Sequence, residues 1–171
     1  MRWRFTIQKY SSVSGQFNIK IMMMPKYLLV ILIACSLYSG YGQSTRDSVA
    51  IRALLEKESA TWRSGDIQGH ADCWVIQPYS RILISLGDGR AIDIPPAMMI
   101  QPPADMVGEG GHAILTNFRM SIQGNNAWVS HDEESVSKEG VSSFSYEIRL
   151  LEKIKGQWKL VGQSIHIYKS Q

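Results

Sequence analysis

From Ser143 to Tyr168, apolar and polar residues alternate with a period of two on either side of a Lys155-Gly156 pair. That period belongs to β-strands, and Gly supplies the positive φ of a tight turn, so the pattern predicts a long antiparallel hairpin. The alternation sets Glu147, Arg149 and Leu151 on one face and Tyr146, Ile148 and Leu150 on the other. If Lys155-Gly156 is a two-residue turn, Ile154 faces Gln157. Counting outward then pairs Leu151 with Leu160, Arg149 with Gly162, Glu147 with Ser164 and Ser145 with His166. On this register Glu147, Arg149, Gly162, Ser164 and His166 share a concave face, while Tyr146, Ile148 and Leu150 join Val161, Ile165 and Ile167 on an apolar convex one. A slip of one residue reverses the assignment.

Upstream the period changes. Ile51, Leu54, Leu55, Ser59 and Trp62 recur at spacings of three and four, which predicts an amphipathic helix. Ser44-Thr45-Arg46-Asp47 opens it with a hydroxyl cap, and Gly65 closes it. Asp66 caps a second, shorter helix from Ile67 to about Trp74. Ser80 to Leu86 reads as a strand, ended by the turn Gly87-Asp88-Gly89. Between Arg90 and Gly111 the prolines 95, 96, 102 and 103 forbid a long helix or a central strand. Single turns fit at 97–101 and 104–107, and the segment as a whole reads as a lid or binding loop with adaptable apolar surface at Met98-Met99-Ile100. Strands follow at 113–122 and 127–136, joined by Gly124-Asn125-Asn126. Helices first and strands afterwards mark the α+β class.

The N-terminal region changes the charge picture. Met22 to Gly42 has the charged start, short apolar middle and small-residue end of a secretory signal, with cleavage expected near Gly42-Gln43. The reading is therefore an upstream extension plus signal over 1–42, a single domain over 43–171, and a periplasmic or secreted product. An alternative takes Leu32-Ile33-Ala34-Cys35 as a lipoprotein site that leaves Cys35 lipid-anchored. Residues 1–42 hold five of the 18 basic residues and no acidic one, so the formal charge of +3 comes from that segment. The remainder is near neutral and lacks a basic patch, which excludes nucleic-acid binding. Cys73 is the one cysteine after residue 42, so no internal disulfide is expected there.

The candidate chemistry centres on the hairpin. Glu147 or His166 would move a proton, and Arg149, always charged and forked, would orient an oxygen-rich or acidic group, with Ser164 beside it. In the strand at 127–136, either His131 and Glu133 or Trp128, Ser130 and Asp132 face inward. Trp74, Tyr79, Trp128 and Tyr168 are candidate aromatic lining. The four histidines show no metal-ligand spacing, and neither a metal nor another cofactor is expected.

Thr61-Trp62-Arg63-Ser64-Gly65-Asp66, Ala127-Trp128-Val129-Ser130, Leu151-Glu152-Lys153 and Gly156-Gln157-Trp158-Lys159-Leu160-Val161, in this order of elements, resemble the nuclear transport factor 2-like superfamily, nearest its SnoaL-like branch. The resemblance implies a cone-shaped, cystatin-like fold, with N-terminal helices packed against a strongly curved, mainly antiparallel sheet and a pocket at the open end. It also implies a homodimer through the convex sheet face. The expected function is binding of a small, mostly apolar molecule, with cofactor-free isomerase, cyclase or dehydratase chemistry. One alternative is a non-catalytic binding or interaction module of the cell envelope. Another is a carbohydrate hydrolase that pairs Glu147 with Asp132 or Glu133.

Overall fold

The computed structural model describes the backbone of residues 26–170, with side chains from Thr45 onward. Two compact units divide the chain, residues 1–38 and residues 39–171. The expected upstream extension, residues 1–23, and the Cys35 side chain lie outside the described residues. Among the described residues no helix is long and apolar enough to cross a membrane.

Helix α1 spans Lys26–Ser64 and α2 spans Ile67–Ala71. Because α1 is already helical ahead of Ser44, the predicted hydroxyl cap is an interior position. Its inward stripe carries Ile51 and Leu55, both fully buried, followed by Glu58 and Ser59. Gly65, with φ of 77°, ends the helix. Asp66 then caps α2 by accepting a hydrogen bond from the Gly69 amide at 2.8 Å, as its sequence position predicts.

The sheet has six strands: β1 (Ile82–Ser85), β2 (Ala91–Ile94), β3 (His112–Gln123), β4 (Asn126–Val136), β5 (Ser142–Ile154) and β6 (Gln157–Ser170). Their order is β2-β1-β6-β5-β4-β3; β1 runs parallel to β6 and every other pair is antiparallel. Strand β2 falls where no strand was expected. It has four residues at a sheet edge, with only Ile92 and Ile94 to show its period. The proline-bracketed segment makes two single turns, Pro96–Met99 and Ala104–Met106, close to the predicted positions.

That segment is a pinned wall. The amides of Gly108 and Gly110 donate to the carbonyls of Trp62 and Arg63 at 3.0 and 2.9 Å, so the loop satisfies acceptors that the end of α1 leaves open. Gly65 and Gly108 meet backbone to backbone, and a Cβ on Gly65 would lie 3.2 Å from the Gly108 Cα. A side chain would push the loop off the helix.

The hairpin register holds as far as Leu151 and Leu160 and then changes. Beyond this pair Leu150 faces Gly162, Arg149 faces Gln163, Glu147 faces Ile165 and Tyr146 faces His166, because β6 carries one extra residue at Val161. The cause is tertiary. Leu160 bonds in both directions with the Cys73–Val75 segment, at 2.9 Å each way, whereas from Gln163 onward β6 pairs with β1. The bulge absorbs the offset between these two neighbours. It overturns the predicted faces: Ser164 and His166 lie on the outer face, and Ile165 and Ile167 turn inward.

Candidate functional site

A cavity of about 250 Å³ lies between the second half of α1 and the inner face of the sheet. Ile84, Ile94, Met99, Met106, Ile165 and Ile167 supply its apolar wall. Its floor is charged and polar, formed by Glu58, Arg63, Glu133, Glu147, Arg149 and Gln163.

Arg149 is the centre of that floor and is 4% exposed. Its Nη2 donates to Glu147 Oε2 and its Nη1 to Gln163 Oε1, with Glu58 Oε2 at 3.5 Å from Nη1. Burial alone would lower its pKa, but the carboxylates of Glu147, Glu58 and Glu133 outweigh that and raise it. Glu147 is held from both sides, since Ser145 Oγ donates to its Oε1 at 2.9 Å. Burial pushes the Glu147 carboxyl up, yet Arg149, His131 and the Ser145 hydroxyl prevail and hold it below the usual range.

Glu133 behaves in the opposite way. Arg63 Nη2 donates to its Oε1 at 2.8 Å and to Ser135 Oγ at 2.7 Å, while Glu133 Oε2 is buried with no hydrogen-bond partner. Burial and the neighbouring Glu147 raise its pKa more than Arg149 and Arg63 lower it. Three carboxyls thus face two guanidiniums on this floor, an excess of one acidic group.

Two histidines flank the network. The His131 ring donates from Nδ1 to the Asp132 carbonyl at 3.4 Å and stacks on Phe118, which leaves Nε2 facing Glu147 Oε2 at 3.8 Å. Burial and Arg149 lower its pKa more than Glu147 raises it. His70, packed against Trp62, sets its Nε2 3.8 Å from Glu58 Oε1. The fold therefore brings together His131, Glu133 and Glu147, with donor atoms all within 4.8 Å of one another, a proximity that histidine spacing did not reveal. These are metal-ligand types, but Arg149 already occupies Glu147 Oε2 and adds positive charge beside the trio. The arrangement suits a shared proton better than a divalent cation.

No family model matches the chain, and no curated protein matches it in sequence. Solved structures do match in fold. An NTF2-like protein of unknown function from Shewanella baltica is 18% identical, covering 74% of this chain and 97% of its own, with a TM-score of 0.56. An NTF2-like protein with a cystatin-like fold from Novosphingobium aromaticivorans is 14% identical, covering 76% and 87%, with a TM-score of 0.58. A protein from Streptomyces avermitilis, provisionally named a dehydratase of the NTF2-like family, is 14% identical, covering 72% and 97%, also with a TM-score of 0.58. The chain has the NTF2-like fold.

Within this fold, Glu147 and Arg149 occupy the cavity floor, and His131 lies buried directly behind Glu147. The other expected residues go elsewhere. Ser164 and His166 bond to each other at 3.0 Å on the outer face. Trp128 and Asp132 face outward as well, because β4 turns Val129, His131 and Glu133 inward. Trp74 is buried in the core, and Tyr79 is 65% exposed with its hydroxyl donating to Glu152. Glu133 belongs to the pair, with His131, that the sequence offered as one of two inward alternatives, and the residues that sequence reading passed over are Glu58, Arg63, Ser145 and Gln163. Glu58 carried a usable signal: it lies seven residues after Ile51 and three after Leu55, on the stripe that had to be buried.

Proposed function

We propose that this NTF2-like domain binds a small, mostly apolar molecule with an oxygen-bearing end in the cavity and moves a proton on it, with Glu133 as the carrier. The observation that supports this is the state of Glu133: buried, held at one oxygen by Arg63, unpartnered at the other, and raised in pKa. A carboxyl tuned upward is a stronger base than a free one and keeps its proton to higher pH, the direction of tuning that general acid–base catalysis uses. Of the two bases that sequence reading named, His166 lies on the outer face, and Glu147 is held by Arg149 and Ser145 and is the poorer candidate.

In the proposed step the ionised Glu133 takes a proton from the carbon next to a carbonyl. The electron pair moves to the oxygen, Arg149 stabilises the resulting enolate, and Glu133-H returns the proton at the γ-carbon. Cyclohex-3-en-1-one, a ring of suitable size, tests it. The wild type should accelerate its conversion to the conjugated enone, followed by ultraviolet absorbance, and Glu133→Gln should lose about 100-fold or more of that acceleration. No acceleration by the wild type would overturn the catalytic part.

A second reading, a binding module without catalysis, draws support from the contacts of both Arg149 terminal nitrogens with Glu147, Gln163 and Glu58, which brace the cavity floor as a structural ion cluster would. Ring binding without turnover would favour it. We also propose a homodimer through the outer sheet face, where Trp128, Tyr146 and Leu150 are exposed, testable by sedimentation. Export, as a cleaved product or anchored at Cys35, is proposed from the leader-like sequence and testable by N-terminal mass analysis.

A further inference from the structure

The cavity is small for the whole of an ordinary ligand. At about 30 Å³ for each liquid water, 250 Å³ is the room of about eight waters, below the roughly 300–1,000 Å³ of most ligand pockets. A second chamber of about 610 Å³ adjoins it, and Trp62, Arg63, Ser135 and Ser143 stand in the walls of both. Arg63 marks the junction, with its Nη2 shared between Glu133 and Ser135 and its Nη1 on the Ser59 carbonyl at 3.1 Å.

The two chambers differ in chemistry. The inner one sets an isoleucine and methionine wall against its charged floor and serines, whereas the outer one has no isoleucine or methionine and presents Ser135, Ser137, Ser142, Ser143 and Ser170. Two basic side chains, Arg63 and Lys138, and two acidic ones, Glu109 and Glu139, also face the outer chamber. Arg63 is paired with Glu133, and the exposed Lys138 lies 3.7 Å from Glu139. With two cations and two carboxylates on its walls, the outer chamber carries no net charge to draw in either an anion or an ammonium. An uncharged group rich in hydroxyls finds acceptors and donors without a charge penalty.

We infer that the ligand is a neutral amphiphile that spans both chambers, with an apolar ring or short chain in the inner one and an uncharged, hydroxylated head such as a sugar in the outer one. This rests on the reading of the inner cavity as the binding site. It goes further by assigning the chemical class of the part that the inner cavity leaves out.

The test uses the full chain and four probes with one six-membered carbon ring: cyclohexanone, cyclohexyl β-glucoside, cyclohexanecarboxylate and cyclohexylammonium, with binding followed by calorimetry. The glucoside should bind at least tenfold more tightly than either charged probe. Ser142→Trp, at a wall position of the outer chamber alone, should weaken the glucoside at least tenfold and leave cyclohexanone within twofold. Val141→Glu, at an exposed position beside the outer chamber, should raise the affinity of cyclohexylammonium at least threefold, and it does not depend on how Ser142→Trp folds. A glucoside no tighter than the charged probes, or an unchanged ammonium affinity in Val141→Glu, would overturn the two-chamber assignment while cyclohexanone binding leaves the inner site standing. If cyclohexanone does not bind the wild type either, both readings fall together.

Discussion

The two ends of the layer between α1 and the sheet are built from the same four elements and have opposite chemistry. At one end α1 contributes Ile51 and Leu55, β4 contributes Ala127 and Val129, β5 contributes Leu151, and β6 contributes Trp158 and Leu160, all buried. Further along the same inward faces stand Glu58 and Ser59, then His131 and Glu133, then Arg149, Glu147 and Ser145, then Gln163. Every element changes from apolar to polar at the same level. The first end is a closed core that the hydrophobic effect stabilises, and Trp158 Nε1 and Lys153 join it to α1 through Asp47. The other end is a buried ionic network that stays soluble in the interior only because each charge has an opposite beside it. One end holds the fold, and the other holds a cavity.

Substitutions at the two ends break this comparison in different ways. The largest effect is expected at the polar end: Arg149→Met leaves Glu147 and Glu58 buried without their cation and should lower stability by about 3–5 kcal/mol in urea unfolding. At the apolar end Leu160→Ala should cost about 2–5 kcal/mol through an unfilled cavity, and it should leave ring binding in folded protein unchanged. A loss of binding equal to that of Arg149→Met would show that the ends are not independent.

Glu133→Gln sharpens the contrast through pH. The folded pKa of Glu133 is raised, so its contribution is fully present below the ordinary carboxylate range and is lost as pH rises through the folded pKa. Relative to the wild type, Glu133→Gln should therefore gain stability with rising pH, by about 1.4 kcal/mol for each unit of the raise. For His131 the sign reverses. Its folded pKa is depressed, so its contribution is present above the unfolded value and is lost as pH falls. Unfolding midpoints of Glu133→Gln and His131→Asn measured from pH 4.5 to 8 should diverge from the wild type in opposite directions.

The smallest effects belong away from both ends. Gly162→Ala places a Cβ 3.3 Å from the Arg81 carbonyl oxygen and 3.4 Å from Leu150 Cδ1, and should cost about 1 kcal/mol. The exposed Arg81–Asp93 pair at 2.9 Å should contribute less than about 1 kcal/mol, read from the thermal midpoint of Arg81→Ala.

Much of this architecture is legible in residue order. The cap at Asp66, the stop at Gly65, the turn at Lys155-Gly156 and the alternation of β5 are local chemistry, set within a few bonds of the residues that display them. They suffice for the α+β class, for the placement of Glu147 and Arg149 on an inward face, and for the hairpin pairing up to Leu151 and Leu160. Strand β2 was not legible, because four residues give a period of two almost no length to show itself.

What only the tertiary structure decided is the side of the sheet on which Ser164, His166, Ile165 and Ile167 lie, and with it the composition of the cavity. A single extra residue at Val161 inverts the side chains from Gly162 to Ile167, up to a second shift beside Tyr168, and nothing local marks that residue. The bulge exists because β6 passes from the Cys73–Val75 segment to β1, two neighbours joined to it by distant parts of the chain. The same holds for Glu133. Its neighbours along β4 leave its protonation open, and Arg63 and Glu147, contributed by α1 and β5, set it through the low-dielectric interior they share.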